Sequence, residues 1–133
     1  MSTKSFIINL PIITGDQDRR RLRKSFSFGC NLQNAVMGGG WDRVLQMRAT
    51  AEWQATRAMP KGRERTKAFR DLRVRFRLSE YDFHADVAKH RKASGRGHLL
   101  GINECQKLAS RAWISVERHL YNGGSPRFIS SRR

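Results

Sequence analysis

The sequence predicts a mainly α-helical protein, a basic bundle of about five helices flanked by a short β-strand at each end. Three observations carry this. Apolar residues recur at helical spacing through most of the chain. Capping and breaking residues punctuate that pattern at plausible helix lengths. Only residues 4–13 and the segment from Arg127 to Ile129 depart from it.

Lys4 to Ile13 (KSFIINLPII) is rich in bulky and β-branched residues and reads as a strand, with Pro11 placing it at an edge or at its own end. Thr14 then opens a helix, with Gln17 three residues on as in a capping box and with Asp16 and Asp18 suited to the positive helix N-terminus. Leu22, Phe26, Cys30 and Val36 give it one face, and the Gly38-Gly39-Gly40 triplet is expected to break it.

A second helix is expected from about Trp41 to Ala58, on Val44, Met47, Ala51, Ala55 and Ala58, closed by Pro60 and Gly62. A third covers roughly Arg63 to Arg77. Phe69, Leu72 and Phe76 lie on one side of it, and Arg63, Lys67, Arg70 and Arg77 form a stripe roughly opposite. The clearest start signal follows: Ser79 as N-cap, Asp82 at N3, and Leu78 and Phe83 spaced for a hydrophobic staple. That helix runs to about Lys92, and Ser94 to Gly97 is a glycine-bearing loop.

The last helix is expected from about Ile102 to Tyr121, burying Cys105, Leu108, Ala109, Ala112, Val116 and Leu120, with Lys107, Arg111 and Arg118 on its polar side. Asn122-Gly123-Gly124 ends it, Pro126 follows, and Arg127-Phe128-Ile129 starts another strand. Two short strands do not make an independently stable sheet, so they either pair with each other or belong to something larger.

Charge is the strongest functional signal. Twenty-seven Lys and Arg face eleven Asp and Glu, a formal net charge of +16 on 133 residues. The usual partner of such a field is a polyphosphate, whose neutralised phosphates release condensed counterions. Most of the excess is Arg, whose planar fork suits phosphate oxygens and stacks on bases. Too few acids are present to lace every basic face with ion pairs. Nucleic acid is therefore expected as partner, RNA at least as readily as DNA. The run Arg19 to Lys24 matches an import-type basic patch, a motif that comes cheaply in a chain of this charge. Trp41, Trp53 and Trp113 are expected mainly in the core, with Tyr81 and Tyr121 the more exposed aromatics.

Catalytic chemistry is not legible. The carboxylates stand at helix starts or one turn from Lys or Arg, which reads as capping and surface pairing. The four His lack metal-ligand spacing, and Cys30 and Cys105 are too far apart for a C-x-x-C pair. The glycine triplet lacks the strand and the Lys-Ser/Thr of a P-loop. No apolar run approaches the roughly 20 residues of a membrane span, and no signal peptide is seen. A cytoplasmic protein without cofactor, metal or membrane partner is expected.

Cys105 to Phe128 (CQKLASRAWISVERHLYNGGSPRF) resembles the helix and strand that close the recognition region of TnpB-like proteins, the OrfB-type proteins of insertion sequences related to type V CRISPR effector nucleases. Their pattern, near Q-K-x-A-x-R-A-x-x-A/S-V-E-x-x-L with a glycine turn and Pro-Arg-Phe-Lys, is met by Gln106, Lys107, Ala109, Arg111, Ala112, Val116, Glu117, Leu120, Gly123, Pro126, Arg127 and Phe128. Ile129 stands where the family tends to have Lys.

The resemblance implies that residues 1–13 are the first strand of a wedge-like barrel, residues 14–124 a helical recognition domain, and residues 125–133 the start of the returning wedge strand. The barrel is incomplete in this chain. It also implies contact with guide RNA, with the RNA–DNA duplex and with DNA backbone, where protein reads shape and base pairing reads sequence. The layout corresponds to the front third or so of a full-length family member. The family's RuvC-like nuclease domain has no counterpart here, so no catalytic residue is transferred, and the C-terminal nuclease half joins RNA and DNA as an expected partner. A truncated gene product, half of a split protein and a retained binding piece all stay open.

The residues expected to touch nucleic acid are Arg63, Lys67, Arg70, Arg77, Lys107, Arg111, Arg118 and Arg127. The alternative is a basic helical assembly protein that docks on an acidic protein or a ribonucleoprotein.

Overall fold

In the computed structural model, which describes residues 15–129, five α-helices and one 3₁₀ turn follow one another. They are α1 (Asp16–Arg48), α2 (Ala51–Ala58), α3 (Arg63–Arg75), α4 (Glu80–Ser94), the 3₁₀ turn Gly97–Leu99 and α5 (Ile102–Glu117). The expected helical class is met. The expected strand at Lys4 to Ile13 lies outside the described residues.

The largest departure from expectation is α1. It passes straight through Gly38, Gly39 and Gly40 and forms a single helix of 33 residues, about 50 Å long. Intrinsic propensity disfavours this by about 1 kcal/mol per glycine. Packing outweighs it. Val36, Met37, Val44 and Met47 flank the triplet and are all essentially fully buried. Gly40 is also the contact point for α4: a Cβ there would lie 2.2 Å from Cζ of Phe83, itself fully buried. The triplet is a docking notch in a continuous helix.

The break comes instead at Ala49 and Thr50. Thr50 is the N-cap of α2, accepting from the Trp53 amide at 3.2 Å and donating its hydroxyl to the Met47 carbonyl at 2.6 Å. The segment expected as one helix from Trp41 to Ala58 is thus the end of α1 plus a short α2. Pro60 and Gly62 separate α2 from α3 as expected.

α3 stops at Arg75, two residues short of expectation. The Leu78 amide reaches back to the Arg73 carbonyl at 2.8 Å and the Arg77 amide to Val74 at 3.2 Å, the two bonds of a Schellman ending. Arg77 occupies the left-handed position with φ 55°, a place usually held by glycine.

The α4 start follows expectation: Ser79 accepts from the Asp82 amide at 3.1 Å, and Leu78 and Phe83 are both buried. α4 runs two residues beyond the expected Lys92 and ends at Gly95 in the left-handed region.

α5 ends at Glu117, before the expected Tyr121. Beyond Glu117 the amides of His119 and Leu120 bond three residues back, to the Val116 and Glu117 carbonyls at 3.0 and 3.2 Å, the tightened turn of a helix end. Arg48 at the end of α1 holds the turn that follows: its Nη2 donates to the carbonyls of His119, Leu120 (2.7 Å) and Asn122 (3.1 Å), and Leu120 buries fully.

The segment from Arg127 to Ile129 is not a strand among the described residues. It crosses α1: the Phe128 ring lies beside Gly38, and the Asn34 side-chain amide exchanges two hydrogen bonds with the Ile129 backbone at 2.7 and 2.8 Å. One asparagine plays the part of a neighbouring strand for a single residue.

Two packing units result. α1, α4 and α5 pack mutually, with Phe28, Leu32, Val36, Val87, Cys105, Ala109, Ala112 and Val116 in their shared core. α2 and α3 pack on each other as a helical hairpin, joined to that core through Trp53, Leu72, Phe69 and Phe76. Cys30 and Cys105 are buried free thiols.

Candidate nucleic-acid interface

The basic residues divide by what their side chains touch. Three arginines serve the fold. Arg43 donates to the Phe76 and Arg77 carbonyls at 3.1 and 3.2 Å and to Asp86 at 2.7 Å, tying the end of α3 to α4. Arg48 holds the end of α5 and lies 5.2 Å from the Trp41 ring. Its burial, and then the charge of Arg57, hold its pKa below the usual arginine value. Arg91 donates to the Leu100 and Gly97 carbonyls at 3.1 and 2.7 Å, fixing the loop between α4 and α5. None of these uses was legible in the sequence, because each depends on a carbonyl brought close by the tertiary fold.

Arg77 joins this group in part. Its guanidinium donates to Asp86 at 3.0 Å and lies 4.0 Å from Asp82, so Asp86, buried on α4, is gripped by two arginines. Being past the end of α3, Arg77 is not in register with Arg63, Lys67 and Arg70.

Those three remain as expected, exposed at i, i+4 and i+7 along α3. Lys107 and Arg111 are exposed on α5, Arg118 is exposed at its C-cap, and Arg127 is exposed on the segment that crosses α1. Among the described residues, only Arg43, Arg75 and Arg77 of the Lys and Arg side chains lie within 4.0 Å of a carboxylate.

Arg70 of α3 and Lys107 and Arg111 of α5 line neighbouring clefts on either side of the start of α4. Arg70 and Arg73 line an open cleft with Ser79, Glu80, Asp82 and Trp113. Lys107 and Arg111 line a second with His84, Asn103, Gln106 and Ser110. The two adjoin at Glu80, which accepts from the Ser110 hydroxyl at 2.7 Å. His84 Nε2 lies 2.8 Å from the same hydroxyl and 3.7 Å from Glu80. This is not a nucleophile relay. The carboxylate sits by the ring nitrogen that already faces the serine, and among the described residues no hydrogen bond reaches the other nitrogen of the imidazole.

Two further basic clusters lie outside the expected contact residues. Arg23 and Lys24 of α1 line a cleft with Ser27, Arg96, His98 and Leu99, and the preceding run Arg19 to Arg21 is exposed on the same helix. Its signal was the basic run itself. The other is Arg57 and Arg65, which line a cleft with Trp53, Phe69 and Tyr121. Its signal was the i,i+4 spacing of Arg65 and Phe69, which sets the guanidinium 5.2 Å from the ring.

Trp53 and Trp113 are buried, the latter edge-on to Phe83 at 5.3 Å, while Tyr81 and Tyr121 are exposed. No group of three or more His, Cys, Asp or Glu is placed to hold a metal ion among the described residues. No described helix is long and apolar enough to cross a membrane.

Comparison with protein-family profiles, with curated proteins and with solved structures finds no match to this chain.

Proposed function

We propose that the chain binds nucleic acid through its phosphate backbone, with Arg63, Lys67 and Arg70 of α3 and Lys107, Arg111 and Arg118 of α5 as the principal contacts. One observation carries this reading. These side chains are exposed, stand at helical repeats on rigid elements, and have no carboxylate partner within 4.0 Å among the described residues. A phosphate chain supplies the missing negative charge, and each neutralised phosphate releases counterions. Arg77 contributes less, because its guanidinium is engaged by Asp86. Arg127 and the α1 cluster extend the basic surface.

The more particular reading, also a proposal, is that of the recognition part of a TnpB-like protein. It rests on the resemblance of Cys105 to Phe128, whose apolar positions Ala109, Ala112, Val116 and Leu120 are buried and whose Gln106, Lys107, Arg111 and Glu117 are exposed. On that reading the chain grips guide RNA and the guide–target duplex by shape, and cleavage belongs to a nuclease domain.

The experiment compares two charge-matched double variants. Arg63→Gln with Arg70→Gln weakens binding to duplex RNA or DNA and lowers the salt slope by about one per lost contact. Arg132→Gln with Arg133→Gln is expected to do much less. Equal losses from both pairs would leave total charge as the only determinant and contradict the assignment of the surface.

A further inference from the structure

Where α2, α3 and the turn after α5 converge, three aromatic rings touch. Tyr121 stacks on Trp53 with centroids 6.0 Å apart and planes 11° apart, and stands edge-on to Phe69 at 5.3 Å. Trp53 and Phe69 meet edge-to-face at 5.2 Å. Such a cluster reads first as core, and for Trp53, only 4% exposed, it is. Tyr121 is different. With one side against Trp53 and Phe69 it remains 54% exposed, so a ring already held in place by two others presents its free side to solvent.

The open cleft beside it is lined by Trp53, Arg57, Arg65, Phe69 and Tyr121, with no carboxylate among them. The Arg65 guanidinium is held over Phe69, and its Nε is buried with no hydrogen-bond partner. Partial burial pushes the Tyr121 hydroxyl pKa above the ordinary tyrosine value, with Arg73 opposing and Glu117 adding.

A fixed aromatic platform beside two cations asks for a flat π-system carrying negative charge. An acidic peptide brings the charge without the ring, and an apolar peptide would desolvate two arginines with nothing in return. A nucleotide brings both. In a duplex the faces of each base are already stacked, so only an unpaired or terminal base offers one to a protein.

We propose that Tyr121, backed by Trp53 and Phe69 and flanked by Arg57 and Arg65, forms a subsite for one unpaired nucleobase and its adjoining phosphate. The proposal rests on the nucleic-acid reading above and adds to it a preference for single-stranded segments next to a duplex.

The test uses the full chain and two RNA duplexes, one blunt and one with a short single-stranded overhang, compared by fluorescence anisotropy. The unmodified chain is expected to favour the overhang by on the order of tenfold, the scale of one stacked base. Tyr121→Leu is expected to erase that preference while keeping affinity for the blunt duplex, and Tyr121→Phe to retain it. A 4-thiouridine in the overhang is expected to crosslink to the peptide that holds Tyr121 in the unmodified chain, a readout that needs no variant to fold.

Equal binding of both duplexes, or adducts only elsewhere, would overturn the subsite while leaving phosphate binding intact. Poly-glutamate binding as tight as that of the overhang RNA and indifferent to Tyr121 would assign the basic surface to an acidic chain and overturn it too. No binding of either duplex at low salt would remove the nucleic-acid reading itself.

Discussion

Gly40 shows how much one residue decides. Its absent side chain is the space that Phe83 fills, so Gly40→Ala forces a fully buried ring to move. Overpacking of this kind costs about 1–3 kcal/mol, more than the helix propensity that alanine returns. Chemical denaturation is expected to show net destabilisation. Cys105 gives a second residue-scale prediction. Burial raises its thiol pKa, with the neighbouring Arg91 opposing more weakly. A thiol whose folded pKa lies above its unfolded value contributes stability that is fully present below the unfolded pKa. That contribution is lost as pH rises through the folded one. Stability should therefore decline as pH climbs above about 8.5, the free thiol value. Cys105→Ala should flatten that decline even if it lowers stability overall; an unchanged pH slope would show that Cys105 does not drive it.

At the scale of elements, local chemistry was readable and long-range packing was not. The Ser79 cap with its Leu78–Phe83 staple was legible because every signal lies within six residues, and the structure keeps all of it. The continuity of α1 was not legible. Glycine propensity argues for a break, and the partner that overrides it, Phe83, stands 43 residues further along the chain. The hold of Arg48 on the turn after α5 has the same origin, since that donor belongs to another helix. Of the binding surface, the exposed stripe on α3 followed from helical spacing. The diversion of Arg77 to Asp86 did not, because it depends on a Schellman ending that turns the side chain toward α4. Gly39 tests the continuous helix. A Cβ there meets nothing closer than Arg43 Nη1 at 3.8 Å, so Gly39→Ala should stabilise the protein by about 0.5–1 kcal/mol. A marked loss of stability would mean that the triplet is a break after all.

At the scale of the whole molecule, the fold spends three arginines on its own carbonyls and leaves most of the others facing outward without acids. Nothing in the described residues gathers carboxylates around a metal position. Two-metal phosphodiester hydrolysis holds its ions about 3.5–4 Å apart by convergent carboxylates. The purified chain is accordingly expected to show no divalent-metal-dependent cleavage of RNA or DNA. Activity that survives repurification and disappears with Asp71→Asn or Asp86→Asn would contradict this. The central claim is that the surplus positive charge serves a phosphate backbone. A filter-binding titration of the purified chain on duplex RNA or DNA between 50 and 200 mM monovalent salt tests it most directly. Neutralisation of several phosphates predicts a linear log–log decline, with affinity falling by on the order of 10³ across that range. A flat response would contradict the account.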